Sequence, residues 1–330
     1  MTVSKEYRTL DLRPYQLMEI VAKVGAGATD DFGSERLNEA VREMRRTPYT
    51  PIRLRTNVSS IYAFQNPGYD EDTPGGRLLN VKRDLDILQK LGMTPGATMP
   101  AIDLFDLLLT AIPTATGIAG YDRGEGGWGP CEGCSSVDYA AGVAKGLGGI
   151  FRLRDEAEMA RVKQESADAI RGADHLCIRP HHVMCMTCFY GSRMDNLEPI
   201  KEDNLYEAII AMQRNPDIPV TLVEGPCMIC PPCAFYDPKA NLCYLHIGIG
   251  LRDEKKDLEV LELLGLQYGD TLPAREYLRL LYERVPSTRL VCGQGDGVER
   301  APSWRICDNP EGSERYAKGR KAGLGIVSVD

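Results

Sequence analysis

The segment Cys227-Met228-Ile229-Cys230-Pro231-Pro232-Cys233 sets three thiols at successive spacings of three, with Cys243 ten residues further on. Around a turn, that spacing brings the sulfurs together. Pro231 and Pro232 stiffen the turn and donate no hydrogen bonds. Gathered thiols are metal ligands, because a bound cation offsets the cost of deprotonating them. A C-x2-C-x2-C run matches the compact part of a ferredoxin-type cluster loop and predicts a 4Fe–4S cluster. Structural zinc, which usually takes two separate cysteine knuckles, is the alternative, and a loop of unliganded thiols is the plainest reading. Cys185 and Cys188 form another C-x2-C behind His181-His182, and Cys292 and Cys307 lie downstream. Cys185, Cys188, Cys227, Cys230, Cys233, Cys243, Cys292 and Cys307 exceed the four thiolates of one cluster, so one cluster, two, or a cluster plus a single-ion site are chemically permitted. His181 and His182 are two of only four histidines; an unperturbed imidazole changes charge near neutrality, which makes them the natural acid–base groups beside such a centre. The structural alternative is a pair of helix-start histidines bonded to backbone.

Other motifs carry weaker signals. Cys131-Glu132-Gly133-Cys134 reads as a reduced structural pair in a glycine-rich loop, with a redox or ligand pair as the sharper alternative. Six glycines between Gly117 and Gly129 suit an anion cradle, but no strand–G-x-G-x-x-G–helix context for a dinucleotide is present. Val24-Gly25-Ala26-Gly27-Ala28 is equally weak. Arg53, Arg55, Asn57, Ser59, Tyr62 and Gln65 form a polar row that reads as a solvated loop or as a substrate pocket.

The whole chain constrains where this chemistry operates. All 330 residues together carry a net charge of −8 with a pI near 5.3, a poor match for nucleic acid or anionic membrane. There is no apolar run long enough to span a bilayer and no apolar signal core behind the N-terminus, so the cytoplasm is the expected compartment. The 11 cysteines are odd in number, and nine lie from Cys177 onward. A disulfide framework fits neither fact.

The elements that must hold the thiols come twice. Arg13-Pro14 returns as Arg179-Pro180, Leu37 to Ala40 as Leu205 to Ala208, and Lys82-Arg83-Asp84 as Lys255-Lys256-Asp257. Pro100-Ala101 matches Pro273-Ala274, and Trp128 and Cys131 match Trp304 and Cys307. Tyr139-Ala140 and Gly142 match Tyr316-Ala317 and Gly319. The separation widens steadily, from 166 at Arg13/Arg179 to 177 at Tyr139/Tyr316. This pattern predicts an internal duplication of one α+β module, packed as a pseudo-dimer. The expected domains are 1–150, a linker helix within 151–176, and 177–330. Periodicity predicts helices over 203–214, 254–264, 273–284 and 313–321, a strand over 218–223, and a loop over 227–243. Thr271 is the expected N-cap of the third of these helices. The first copy repeats the order over 37–45, 52–57, 82–91 and 100–111.

Matched position by position, the first copy keeps the frame and loses the ligands. His181 and His182 become Tyr15 and Gln16, Cys185 becomes Glu19, and Cys188 becomes Ala22. Cys227, Cys230 and Cys233 become Ser59, Tyr62 and Gln65. From Ile178 onward the second copy resembles the domain of unknown function 1284 family, small bacterial and archaeal proteins associated with iron–sulphur binding. The resemblance rests on Arg179-Pro180-His181-His182 with Cys185, then Glu224-Gly225-Pro226, Ile229-Cys230, Cys233 and Cys243. It continues through Leu263-Leu264-Gly265-Leu266 to Cys292-Gly293. It implies Cys230, Cys233, Cys243 and Cys292 as cluster ligands, with Cys185 able to replace one and Cys307 standing in for a displaced late cysteine. It implies a cofactor and names no reaction. The expected function is therefore an oxygen-sensitive iron–sulphur protein of an anaerobic-type metabolism. The reading leans to an oxidoreductase or lyase acting on a small molecule, served by a redox partner of ferredoxin or flavodoxin type. An electron-transfer or accessory protein without its own substrate, and a zinc-stabilised scaffold, are the alternatives.

Overall fold

The computed structural model describes residues 8–57, 77–118, 136–151, 154–239, 241–243, 246–292 and 314–328. Within them the protein is a mixed α+β structure that divides into two compact units, Met1–Arg152 and Leu153–Asp330. The first unit runs β1 (Leu10–Leu12), α1 (Pro14–Gly25), α2 (Glu35–Arg46), β2 (Pro51–Leu54), α3 (Arg77–Leu91), β3 (Thr98–Pro100), α4 (Ala101–Ala111) and α5 (Ser136–Ile150), the last broken at Gly146. The second unit runs α6 (Glu156–Arg171), β4 (Leu176–Ile178), α7 (Pro180–Arg193), α8 (Leu205–Arg214) and β5 (Pro219–Leu222). The hairpin β6 (Tyr236–Asp237) and β7 (Leu242–Cys243) follows, then α9 (His246–Leu264), β8 (Thr271–Pro273), α10 (Ala274–Arg284) and α11 (Glu314–Lys321).

Each unit is built on a three-stranded sheet of the same design. β1 pairs parallel with β2, which pairs antiparallel with β3; β4, β5 and β8 repeat that order and those directions. Even the register repeats, with Pro51 opposite Pro100 and Pro219 opposite Pro273. Alternation decides the buried face: Ile52 and Leu54 are buried around exposed Arg53, and Val220 and Leu222 are buried around partly exposed Thr221. Each such aliphatic side chain contributes about 1.5–3 kcal/mol on burial.

Local chemistry sets the helix ends. Pro14 and Pro180 occupy the first turns of α1 and α7, where a missing N–H costs nothing. Ser34 caps α2 through Leu37 N–H, and Asp155 caps α6 through Glu158 N–H. In each unit the helix that follows the first strand and the last α-helix then meet backbone to backbone. A Cβ on Gly142 of α5 would lie 2.0 Å from Val21 O of α1, and one on Gly319 of α11 would lie 2.0 Å from Thr187 O of α7. Tyr139 and Tyr316 lock these helices by donating to Ile112 O and Val285 O, each at 2.7 Å.

Several sequence expectations change. Helices α1, α5 and α7 and the three-residue strands β1, β3 and β4 are additional elements, and α9 begins at His246, eight residues before the predicted start. Thr271 is not an N-cap: it opens β8, and Pro273 stands at the cap position of α10. The cysteine-rich segment is not loop throughout but ends in the β6–β7 hairpin. The expected linker helix, α6, packs within the second unit, where Lys163 binds Asp203 O, Asn204 Oδ1 and Glu207 Oε2. Among the described residues no helix is long and apolar enough to cross a membrane.

Candidate metal centre

The centre is assembled at the end of β4. Arg179 follows the strand and is almost fully buried; its Nε donates to Asp257 Oδ2 of α9 at 2.7 Å. That pair fixes the start of α7, whose first turn carries His181 and His182. The cysteine loop is laid against the same strand end. Met228 N–H donates to Cys177 O, and Cys177 N–H points at Met228 Sδ, each at 3.2 Å. Asn204, just before α8, holds the loop from behind: its N–H donates to Ile229 O at 3.1 Å and its Nδ2 to Met228 O at 3.0 Å.

From Cys227 the backbone closes one tight turn after another. Cys230 N–H donates to Cys227 O at 3.0 Å, Cys233 N–H to Cys230 O at 2.9 Å, and Tyr236 N–H to Cys233 O at 3.2 Å. Arg154 clamps this chain of turns by donating to Pro231 O at 2.6 Å and Cys233 O at 2.9 Å, with Glu158 holding the guanidinium at 3.0 Å. Backbone donors also face the sulfurs. Ile229 N–H reaches Cys227 Sγ at 3.5 Å, Cys227 N–H reaches Cys230 Sγ at 3.3 Å, and Phe235 N–H reaches Cys233 Sγ at 3.5 Å.

These constraints gather His182, Cys227 and Cys230 so that one ligand atom of each lies within 4.8 Å of the others. His182 Nδ1 is 3.1 Å from Cys227 Sγ. Burial opposes ionisation of Cys227, but bonds from Cys230 and from the backbone of Arg179 and Ile229 hold its thiol below the ordinary value. Cys230, as the donor to Cys227 and itself buried, is held well above it. Burial pushes Cys233 up to about 11 and Cys243 up to about 12. A bound cation would reverse those last two shifts by stabilising the thiolates.

The predicted residues fall into distinct places. Cys243 is carried on β7, paired with Tyr236, and the charges of Cys233 and Cys230 act on it. It lies outside the tight three-donor group. Cys185 and Cys292 act electrostatically on buried Lys256, and Cys188 on Tyr282 and Tyr316; none of the three belongs to the His182–Cys227–Cys230 group. Cys307, Cys131, Cys134, Ser59, Tyr62, Gln65 and the glycines from Gly120 to Gly129 lie outside the described residues.

The two histidines separate sharply. His181 is buried; its Nδ1 lies 2.6 Å from Asp257 Oδ1, and its backbone N–H donates to the same oxygen at 3.0 Å. Burial pushes its pKa down to about 4, so at neutral pH it is an uncharged member of the Arg179–Asp257 network. His182 alone faces sulfur.

The first unit holds the same frame with other residues. Arg13 Nε donates to Asp84 Oδ2 at 2.9 Å and Tyr15 N–H to Asp84 Oδ1 at 3.1 Å. Gln16, at the place of His182, turns back and accepts from Arg13 N–H at 2.8 Å. In the polar row, Arg53 and Arg55 both bind Asp11 of β1. A cleft of about 690 Å³ beside β1 and α2 is lined in part by arginines paired with acids, Arg42 with Glu35 and Arg46 with Glu43, and contains none of the cysteines.

Sequence reasoning missed Asp257, Asn204, Arg154 and Met228. Only Asp257 had a visible signal, the repeat of Asp84 in the matching helix. No family model, curated protein or solved structure matches the chain.

Proposed function

We propose that the second unit is a metal-binding module whose Cys227–Cys243 segment holds an iron–sulphur cluster, with Cys230, Cys233 and Cys243 as ligands. Cys227 is the nearest fourth thiol, and Cys292 is the one that the family likeness implies. The observation that carries this reading is the run of stacked turns from Cys227 to Tyr236, with N–H groups aimed at successive sulfurs. Such donors stabilise thiolates and reduced clusters alike. The module then serves a cytoplasmic, oxygen-sensitive redox or cluster-dependent enzyme acting on a small molecule, fed by a ferredoxin- or flavodoxin-type partner. The shared sheet order, register and Arg–Asp pair support reading the first unit as a ligand-poor copy of the second.

One observation favours a second reading. Around a single tetrahedral ion with metal–sulfur bonds of about 2.3 Å, neighbouring sulfurs sit about 3.8 Å apart, whereas a cluster spreads its thiolates over separate irons. The 4.8 Å limit on His182, Cys227 and Cys230 suits the single ion, zinc above all. Anaerobic purification followed by iron, sulfide and zinc content with an absorption spectrum tests both. Brown protein with matched iron and sulfide supports the cluster; colourless protein with stoichiometric zinc replaces it with the scaffold reading.

A further inference from the structure

We infer that His182 is a ligand of this metal centre through Nδ1, so that its coordination mixes nitrogen with sulfur. The inference rests on the proposal that the cysteine loop binds metal, and adds a donor from a different element, α7.

Placement is the first argument. Imidazole nitrogen at 2.0–2.1 Å and thiolate at 2.3 Å on one tetrahedral ion lie about 3.6 Å apart. His182 Nδ1 and Cys227 Sγ stand at 3.1 Å, so an ion needs to spread them by only about half an ångström. The second argument is division of labour at the helix start. His181 is committed to Asp257 through both its ring and its backbone, which fixes the first turn of α7. The ring of His182 rests edge-on against that fixed ring, with centroids 4.5 Å apart at 64°. It is thus held in place facing the loop. A ligating imidazole also needs an acceptor for its other N–H, and the Asp203 carboxylate lies within electrostatic reach of His182.

The third argument is the first unit. At the same place Gln16 folds back to cap its own helix. An amide suffices where no cysteine loop needs a donor; an imidazole stands where one does.

The test uses full-length protein labelled with ¹⁵N-histidine and purified anaerobically, with metal content measured first. If iron is present, pulsed electron paramagnetic resonance of the reduced protein should show a strong ¹⁵N coupling. That coupling should vanish in His182→Asn and in His182→Cys, while His182→Cys keeps its iron. The midpoint potential of His182→Cys should fall, because an anionic thiolate replaces a neutral imidazole. If zinc is present instead, absorption at the zinc edge should show one nitrogen at 2.0–2.1 Å that His182→Cys converts to sulfur. Full metal content with an all-sulfur shell, or a histidine coupling that survives in His182→Asn, overturns the ligand assignment and leaves the metal centre standing. Protein that binds neither iron nor zinc overturns the metal centre itself, and the ligand with it.

Discussion

In both units an arginine after the first strand reaches an aspartate on a distant helix, and both aspartates are buried. The carboxylates nevertheless differ. Burial dominates at Asp84 and raises its pKa to about 6 despite Arg13 and Arg83. Burial acts on Asp257 too, but His181 and Arg179 outweigh it and hold the group below the ordinary range. The added donor is a single residue, histidine in place of Tyr15. One step further along the helix, His182 replaces Gln16, and facing it the second unit sets Cys227 and Cys230. A shared frame thus carries two outcomes, decided by the few residues next to the ion pair.

The largest effect should come from the thiols. Cys230→Ser and Cys233→Ser should each abolish metal binding, measured as iron, sulfide and zinc per chain after anaerobic purification. Full iron in Cys230→Ser would remove the loop from the site. Cys134→Ser should bind as the parent does, since the first copy is read as ligand-poor. The ion pair should separate the units next. Asp257→Asn removes the nearer counter-charge of buried Arg179, leaving Glu254 at 3.8 Å, and should cost about 3–5 kcal/mol in denaturant unfolding. Asp84→Asn removes a carboxyl already near protonation and should cost less, about 1–3 kcal/mol. Equal losses would mean that the extra histidine bond does not matter.

The helix contacts should erase the difference between units. Gly142→Ala and Gly319→Ala each press a Cβ into backbone 2.0 Å away. Each should lose about 3 kcal/mol or more, and a clear inequality in melting would break the likeness of the two folds. The smallest effect is in pH. Asp84, raised from 3.8 to about 6 in the folded chain, takes up a proton on folding between roughly pH 4 and 6. Its contribution to stability is therefore greatest in acid and declines as pH rises through 6. Asp257, lowered instead, contributes above its unfolded pKa and loses that contribution as pH falls. Carboxyl carbon shifts in ¹³C-aspartate protein should show one titration near pH 6, absent from Asp84→Asn, and none there from Asp257.

Much of the frame was legible because periodicity and punctuation carry it. The helices read over 37–45, 203–214 and 313–321 match α2, α8 and α11 to within two residues at either end, since small and apolar residues at helical spacing and flanking Pro or Gly mark the segments. Thr271 misled because three residues before a helix fit a cap and a short edge strand equally well; pairing with β5 decided for the strand. β1 and β4 are too short for alternation to register. In the candidate centre, spacing alone marked Cys227 and Cys230. It could not divide His181 from His182, because the division depends on Asp257, a residue 76 positions from His181. Arg154 and Asn204 carry no signal of their own: each acts on backbone carbonyls, which any sequence supplies.

The backbone-close helix pairs have a consequence for synthesis. In each unit the helix that emerges last from the ribosome grips the helix near its beginning, α5 on α1 and α11 on α7. Neither core can therefore close progressively as the chain appears. The first unit can complete itself once residue 150 is free of the exit tunnel, while the second must wait, its thiols already translated, until Gly319 arrives. Contacts of such long sequence separation slow folding and prolong exposure of unfinished surfaces. During that interval the cysteines from Cys177 to Cys292 are open to oxidants and to any ion at hand. The order of the helices thus makes the cell's redox state during translation part of what this chain becomes.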